Sequence, residues 1–200
     1  MLSYKISGGG GLRVKEVYII AGPNGSGKTT FAKEFIKDVA LPFINADEIA
    51  ERLSPGHLEK VKVKAGKMFF AEIEGCIAQG DSFVIETTLA GKYLLKVINK
   101  LRENEYKIIV IYIYVESVEE AIHRIDIRIK KGGHMVPRED IKRRFKRSLA
   151  NFWNIYRKKI DNWEIFLNSK DEFLQVAVGS GNEIQIVNEE GFSLFNKEVL

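Results

Sequence analysis

Gly22-Pro23-Asn24-Gly25-Ser26-Gly27-Lys28-Thr29 matches the pattern G-x-x-x-x-G-K-[ST] at every fixed position. The apolar run Val17-Tyr18-Ile19-Ile20-Ala21 precedes it and reads as a fully buried strand. Thr30 to Lys37 follows, with Phe31, Phe35 and Ile36 on one face of a helix. The pattern therefore stands in the context its chemistry needs: strand, glycine-rich turn, helix start. Glycines let the backbone curl until successive N–H groups converge on an anion. The helix N-terminus adds partial positive charge. Gly22, Pro23, Asn24, Gly25, Ser26, Gly27, Lys28, Thr29 and Thr30 thus form the expected cradle for a nucleoside triphosphate. Lys28 is expected to reach the β- and γ-phosphates, and the Thr29 hydroxyl to hold Mg²⁺. ATP is the expected nucleotide and GTP the alternative. The competing reading is a chance glycine-rich turn ahead of a helix.

Two hundred residues suit one domain and suffice to bury a core. Residues 1–15, with Gly8-Gly9-Gly10-Gly11, are expected to form a flexible arm, and residues 16–200 the domain. A lone cysteine, Cys76, excludes an internal disulfide and fits a reducing compartment; it is expected in a helix as a core residue. No apolar run approaches a membrane span and no secretory signal opens the chain, so a cytoplasmic protein is expected. The net charge of +4 is unevenly spread. Arg124 to Arg147 holds ten Lys or Arg against three acidic residues, so that stretch is +7 and the rest of the chain −3. A local basic patch implies a local anionic partner. Three histidines, among them loop residue His134, and one cysteine make no metal-ligand cluster.

The remaining pattern alternates strands and helices. Leu41 to Asp47 reads as a second strand and Glu48 to Leu53 as a short helix. Glu59 to Gln79 is helical, Ser82 to Glu86 a strand, Tyr93 to Asn104 a helix, and Lys107 to Val115 a strand buried on both faces. Ser117 and Glu120 form a capping box for a helix reaching about Lys131. After a glycine hinge, Lys131 to Pro137, a long helix runs from Arg138 to about Lys159, and Trp163 to Leu167 is a fifth strand. Phe173 to Val178 and Glu183 to Val187 read as a hairpin within about 171–188. The predicted fold is α/β: an open parallel sheet of about five strands with helices on both faces, P-loop kinase-like, with a helical lid over about 124–147.

Ligands of such sheets bind at the carboxyl ends of the strands. Asp47 is predicted to end the second strand and Glu86 the third, followed by Thr87 and Thr88, so both carboxylates should share a crevice with Lys28. Asp47 is the candidate base for an acceptor hydroxyl, against a reading as a helix N-cap. Glu86 is the candidate to hold Mg²⁺ or an acceptor hydroxyl, with Thr88 beside it, against a reading as a solvent-facing charge. Guanidinium groups would stabilise charge developing on the γ-phosphate. Arg124 and Arg128 share a face of one helix, and Arg143, Arg144 and Arg147 lie on the next. Arg128 and Arg143 are taken as the catalytic pair, and Arg124 and Arg144 as nucleotide contacts. The alternative is a solvated basic surface.

These blocks together resemble a known family. Ala21 to Thr30, Asn45-Ala46-Asp47, Glu86-Thr87-Thr88-Leu89 and Gly132 to Pro137 with Arg143-Arg144-Phe145 look like the zeta-toxin-like P-loop kinases, in the branch often labelled predicted ABC-type ATPases. The resemblance spans about residues 17 to 169. It implies transfer of phosphate from ATP to a hydroxyl of UDP-N-acetylglucosamine or a similar small molecule, restrained by an antitoxin protein. It matches the family lysine to Lys28, the aspartate base to Asp47, the acceptor pair to Glu86 and Thr88, and the phosphate-clamping arginines to residues among Arg124, Arg128, Arg143 and Arg144. Transporter-type ATPase activity is not expected: no Asp-Glu pair ends an apolar strand and no LSGGQ-like segment occurs. Two other readings are a nucleotide-dependent interaction protein with weak ATPase activity and a polynucleotide kinase. Nucleic acid is the less expected partner, since only Phe145 interleaves the basic segment. No membrane partner is expected.

Overall fold

A computed structural model describes residues 14–130, 137–170 and 172–199. The expected hinge at Gly132-Gly133 and the glycine arm, up to residue 13, lie outside the described residues. The chain runs β1 (Glu16–Ala21), α1 (Lys28–Val39), β2 (Phe43–Asn45), α2 (Ala46–Leu53), α3 (Leu58–Gln79), β3 (Phe83–Thr87), α4 (Leu94–Glu103), β4 (Lys107–Tyr114), α5 (Val118–Lys130), α6 (Arg138–Asn151), β5 (Asn162–Ser169), β6 (Glu172–Ser180), β7 (Glu183–Ile186) and α7 (Glu189–Val199).

Among the described residues the sheet has seven strands in the order β2-β3-β1-β4-β5-β6-β7. Pairings from β2 to β5 are parallel, whereas β6 and β7 pair antiparallel. The expectation of about five strands with a separate hairpin is therefore corrected: the hairpin extends the same mixed sheet. A two-stranded hairpin alone is marginal in water; docking β6 on β5 satisfies the edge of β5 and buries Val176 and Ala177.

β1 sits between β3 and β4 and is buried along its whole length, which is why it reads as an uninterrupted apolar run. The two sheet faces are covered unequally. Ala32, Phe35 and Val39 of α1 pack on Tyr18, Ile20, Val84, Ile111 and Phe166. The other helices send most of their buried residues, among them Ile49, Phe69, Leu94, Ala121, Phe145 and Phe195, to the larger cluster on the opposite face, around Val17, Ile19, Ile85, Val110 and Tyr112.

Two departures from the predicted elements have physical causes. The helix expected to continue to Lys159 is α-helical only to Asn151, then a π-helical segment, Phe152–Tyr156, then a 3₁₀ turn, Arg157–Lys159. The wider turn lets adjacent aromatics both pack inward. Phe152 stacks on Tyr112 with ring centroids 4.2 Å apart, and Trp153 meets Trp163, Phe192 and Phe195. The sequence pattern predicts no element after the hairpin, where the structure has helix α7. A glycine in its first turn, Gly191, masks its helical propensity, yet no side chain fits there: a Cβ would meet Val176, and the Tyr114 hydroxyl donates to the Gly191 carbonyl at 2.6 Å. Asn188-Glu189-Glu190 was the available start signal.

Candidate functional site

The site is built at the carboxyl ends of β1, β2, β3 and β5. Strand register sets its first contacts. Asn45 is the partner of Glu86, and Ala21 of Thr87, so the loop leaving β1 begins level with the β3 carboxylate. That loop needs its glycines. Gly22, Gly25 and Gly27 have φ of 144°, 82° and 88°, values that disfavour a side chain. A Cβ at Gly22 would run into the Ile113 carbonyl, at Gly25 into the Ala121 carbonyl of α5, and at Gly27 into the Asn168 amide.

Gly27 caps α1, and Lys28 and Thr29 open it. Lys28 is buried, and its ammonium donates to the Pro23 carbonyl at 2.8 Å. Burial lowers its pKa, Glu86 and Asp47 act to raise it, and Arg128 adds to the lowering. Thr29 Oγ1 donates to Glu86 Oε1 at 2.9 Å, and Asn45 Nδ2 donates to Glu86 Oε2 at 2.8 Å. Glu86 is thus no free solvent-facing charge. Its burial raises its pKa, against the opposing pull of Lys28, Thr29 and Asn45.

Asp47 is placed differently from the expectation. β2 stops at Asn45, and Asp47 lies exposed in the first turn of α2. It does not cap that helix: Asn45 Oδ1 accepts from the backbone N–H of Asp47 at 2.7 Å and of Glu48 at 3.2 Å. Asn45 therefore performs two tasks, capping α2 with its oxygen and holding Glu86 with its nitrogen. Thr88 follows β3 half-buried, and its hydroxyl accepts from Ala90 N at 3.4 Å.

The basic residues divide. Arg128 is exposed on α5, and its charge acts to lower the pKa of Lys28. Arg124 Nε donates to Glu120 at 2.6 Å and its Nη2 to the Asn168 carbonyl at 3.2 Å, so its guanidinium braces the end of β5. Arg143 is 58% exposed and paired with Asp140 at 2.7 Å on its own helix. Arg144 is half-buried, and Thr30 is exposed on α1. Arg143 faces a surface groove with Val118, Glu119, Lys142 and Lys146.

Sequence reading missed Asn168. Its side chain is buried beneath the loop, donates to the Ser26 carbonyl at 3.0 Å, and occupies the space a Gly27 side chain would need. Its position at a strand's carboxyl end was the one signal that could have found it. Among the described residues Asn24 Oδ1, Ser26 Oγ and Asn168 Oδ1 are buried without a hydrogen-bond partner. Unpaired buried polar atoms each cost about 1–3 kcal/mol. Of the three, only the Ser26 hydroxyl can donate to an anion; the anion-binding character of the loop rests on its glycine backbone, the α1 N-terminus and buried Lys28. Thr29 and Glu86 offer the hard oxygen ligands Mg²⁺ takes.

An α/β sheet whose central strand feeds a glycine loop, a buried lysine and a hydroxyl–carboxylate pair defines a P-loop phosphotransferase of the kinase type. Within that class the chain belongs to the zeta-toxin family, which matches residues 12–175. An uncharacterized protein of Haemophilus influenzae is 31% identical over 124 residues, 62% of this chain and 88% of that protein. The structure of AvrRxo1-ORF1:-ORF2 with ATP superposes with a TM-score of 0.74 at 17% identity, over 94% of this chain. The chain spans 65% of the length of that protein. The PezAT toxin–antitoxin system of Streptococcus pneumoniae gives a TM-score of 0.64 at 16% identity, over 96% of this chain and 89% of that one. Among the described residues no helix is long and apolar enough to cross a membrane.

Proposed function

We propose that the protein transfers the γ-phosphate of ATP to a hydroxyl of a small molecule, with a sugar nucleotide of the UDP-N-acetylglucosamine type as the first acceptor to test. The observation that carries this reading is the line Asn45–Glu86–Thr29 beside buried Lys28, with Asp47 exposed in the first turn of α2, two residues beyond Asn45. A bare nucleotide-binding module needs the loop and lysine. It does not need a second carboxylate on the exposed side of the crevice.

In this reading the loop amides and Lys28 bind the phosphates, and Thr29 and Glu86 would hold Mg²⁺. Bound there, the metal would supply charge neutralisation to the transferring phosphate. Asp47 accepts the acceptor's hydroxyl proton as its oxygen bonds to the γ-phosphorus. The bond from that phosphorus to the β-phosphate oxygen breaks, and ADP leaves. Glu86 and Thr88 orient the acceptor. Arg128 stabilises charge on the transferring group, while the pairing of Arg143 with Asp140 favours a surface role unless α6 moves. A cytoplasmic setting, rich in ATP, suits this chemistry.

By likeness to the PezAT toxin–antitoxin system, an antitoxin-type protein partner belongs to the proposal. The exposed basic residues Lys142, Lys146 and Arg147 keep a polynucleotide acceptor as the second reading. The test is transfer from γ-labelled ATP to sugar nucleotides, nucleosides and short oligonucleotides in parallel. Label on a sugar nucleotide or nucleoside supports the first reading. Label on oligonucleotides alone moves it to the second, and ATP binding without any transfer rejects both.

A further inference from the structure

The loop between β3 and α4, which carries Thr88, is held from outside by a row of side chains that sequence patterns do not reveal. Ser148 Oγ donates to the Thr88 carbonyl at 2.5 Å. Asn151 Nδ2 donates to the Leu89 carbonyl at 2.8 Å. Tyr156 OH donates to the Gly91 carbonyl at 2.7 Å. All three come from α6 and the π-helical segment that continues it.

The helix geometry explains how one rod holds three carbonyls. Ser148 and Asn151 are three apart and share a face. Tyr156 is five beyond Asn151, which in an α-helix would carry it about 140° round the axis. The π segment closes with an i→i+5 bond, Arg157 N to Phe152 O, and so returns Tyr156 toward the same face. Such segments recur at functional sites.

The proton order of the first anchor is fixed as well. A carbonyl only accepts, so Ser148 must donate to Thr88. Its oxygen then accepts from the fully buried Tyr112 hydroxyl, 2.7 Å away. The row is thereby tied to the central sheet through β4. The held loop is not relaxed: Leu89 has φ of 52°, in the left-handed region, with its side chain buried. A branched residue persists there only when its surroundings over-determine it.

We infer that Ser148, Asn151 and Tyr156 are positioning residues that hold the β3–α4 loop in the shape that presents Thr88, beside Glu86, to the acceptor. This rests on the phosphotransferase reading above. The role is distinct from catalysis, because all three side chains bond backbone carbonyls of the β3–α4 loop.

The test uses Tyr156→Phe, which removes one hydroxyl and keeps the ring, and Asn151→Asp, which replaces the amide donor with an acceptor at equal size. Amide exchange across residues 88–93 of the substrate-free protein is expected to quicken about tenfold, the effect of losing one hydrogen bond. With the acceptor found in the label screen, UDP-N-acetylglucosamine first, the acceptor KM should rise about three- to tenfold. The ATP KM and acceptor-independent ATP hydrolysis should stay at wild-type values. Unchanged exchange in both variants overturns the anchoring. Faster exchange with acceptor and ATP KM rising together overturns the positioning role and leaves a general structural one. If the wild type transfers to no acceptor, the phosphotransferase reading and the acceptor role fall together, while the exchange data still decide whether the loop is anchored.

Discussion

Replacing Asp47 with Asn isolates the proposed base from every other role the residue could have. The structure bounds its structural contribution. Asn45, not Asp47, accepts the first amide bonds of α2, so the substitution removes no cap. What remains is a carboxylate in the first turn of a helix, where a negative charge contributes about 0.3–1 kcal/mol. For a chain of this size that corresponds to a Tm loss of about 2–4 °C at most. Nucleotide affinity should change little, because the loop amides and Lys28 supply most of the phosphate contacts. The chemical effect is of another order. Losing a general base lowers transfer by about 10²–10⁴, a barrier increase of about 3–5 kcal/mol. The assay pairs steady-state transfer to the identified acceptor with nucleotide titration and thermal unfolding on the same preparation. A variant that keeps transfer within a few-fold of wild type refutes the base and moves the role to Glu86. A variant that loses transfer only in proportion to lost folding refutes it equally.

Three further substitutions or probes test the rest of the site. Lys28→Met should abolish transfer without lowering the Tm of nucleotide-free protein at pH 7; burial depresses the lysine's pKa, so its charge costs stability below that folded value and the cost is relieved as pH rises through it, and a Tm drop of more than about 5 °C would show the ammonium to be structural. Glu86 is shifted the other way, with its neutral form favoured in the fold; it adds stability at low pH that is lost as pH rises through its folded pKa, so Glu86→Gln should flatten that part of the Tm–pH curve and abolish Mg²⁺-induced stabilisation, and a variant still stabilised by Mg²⁺ would remove Glu86 from the metal site. Exchange across residues 124–130 and 138–147 should slow when an ATP analogue and Mg²⁺ saturate the protein, and an unaltered pattern would assign the basic residues to a solvated surface.

The nucleotide half of the site was legible because it is local. Gly22 to Thr29 is contiguous, its glycine pattern encodes backbone angles, and the strand and helix that flank it announce themselves by apolar periodicity. The parallel part of the sheet, β2 to β5, followed from the alternation of elements, and Glu86 from the end of a third strand, whereas the antiparallel extension by β6 and β7 did not. The sequence alone also carried the blocks that mark the family. Partnerships across the chain depended on tertiary structure. Glu86 meets Asn45 from 41 residues away and Thr29 from 57, because strand register brings three carboxyl ends level. Asn168 reaches Ser26 across 142 residues, and nothing in its neighbourhood of sequence distinguishes it from any asparagine at a strand end. The same holds for Ser148 and Thr88, 60 residues apart, and for the π turn that aligns Tyr156, which a helical period of 3.6 cannot foresee. Asp47 shows the boundary within a single turn. Its identity and approximate place could be read, but whether it capped the helix or stood free depended on which neighbouring side chain turned back to the amides, and Asn45 held that position once Glu86 had fixed its amide group.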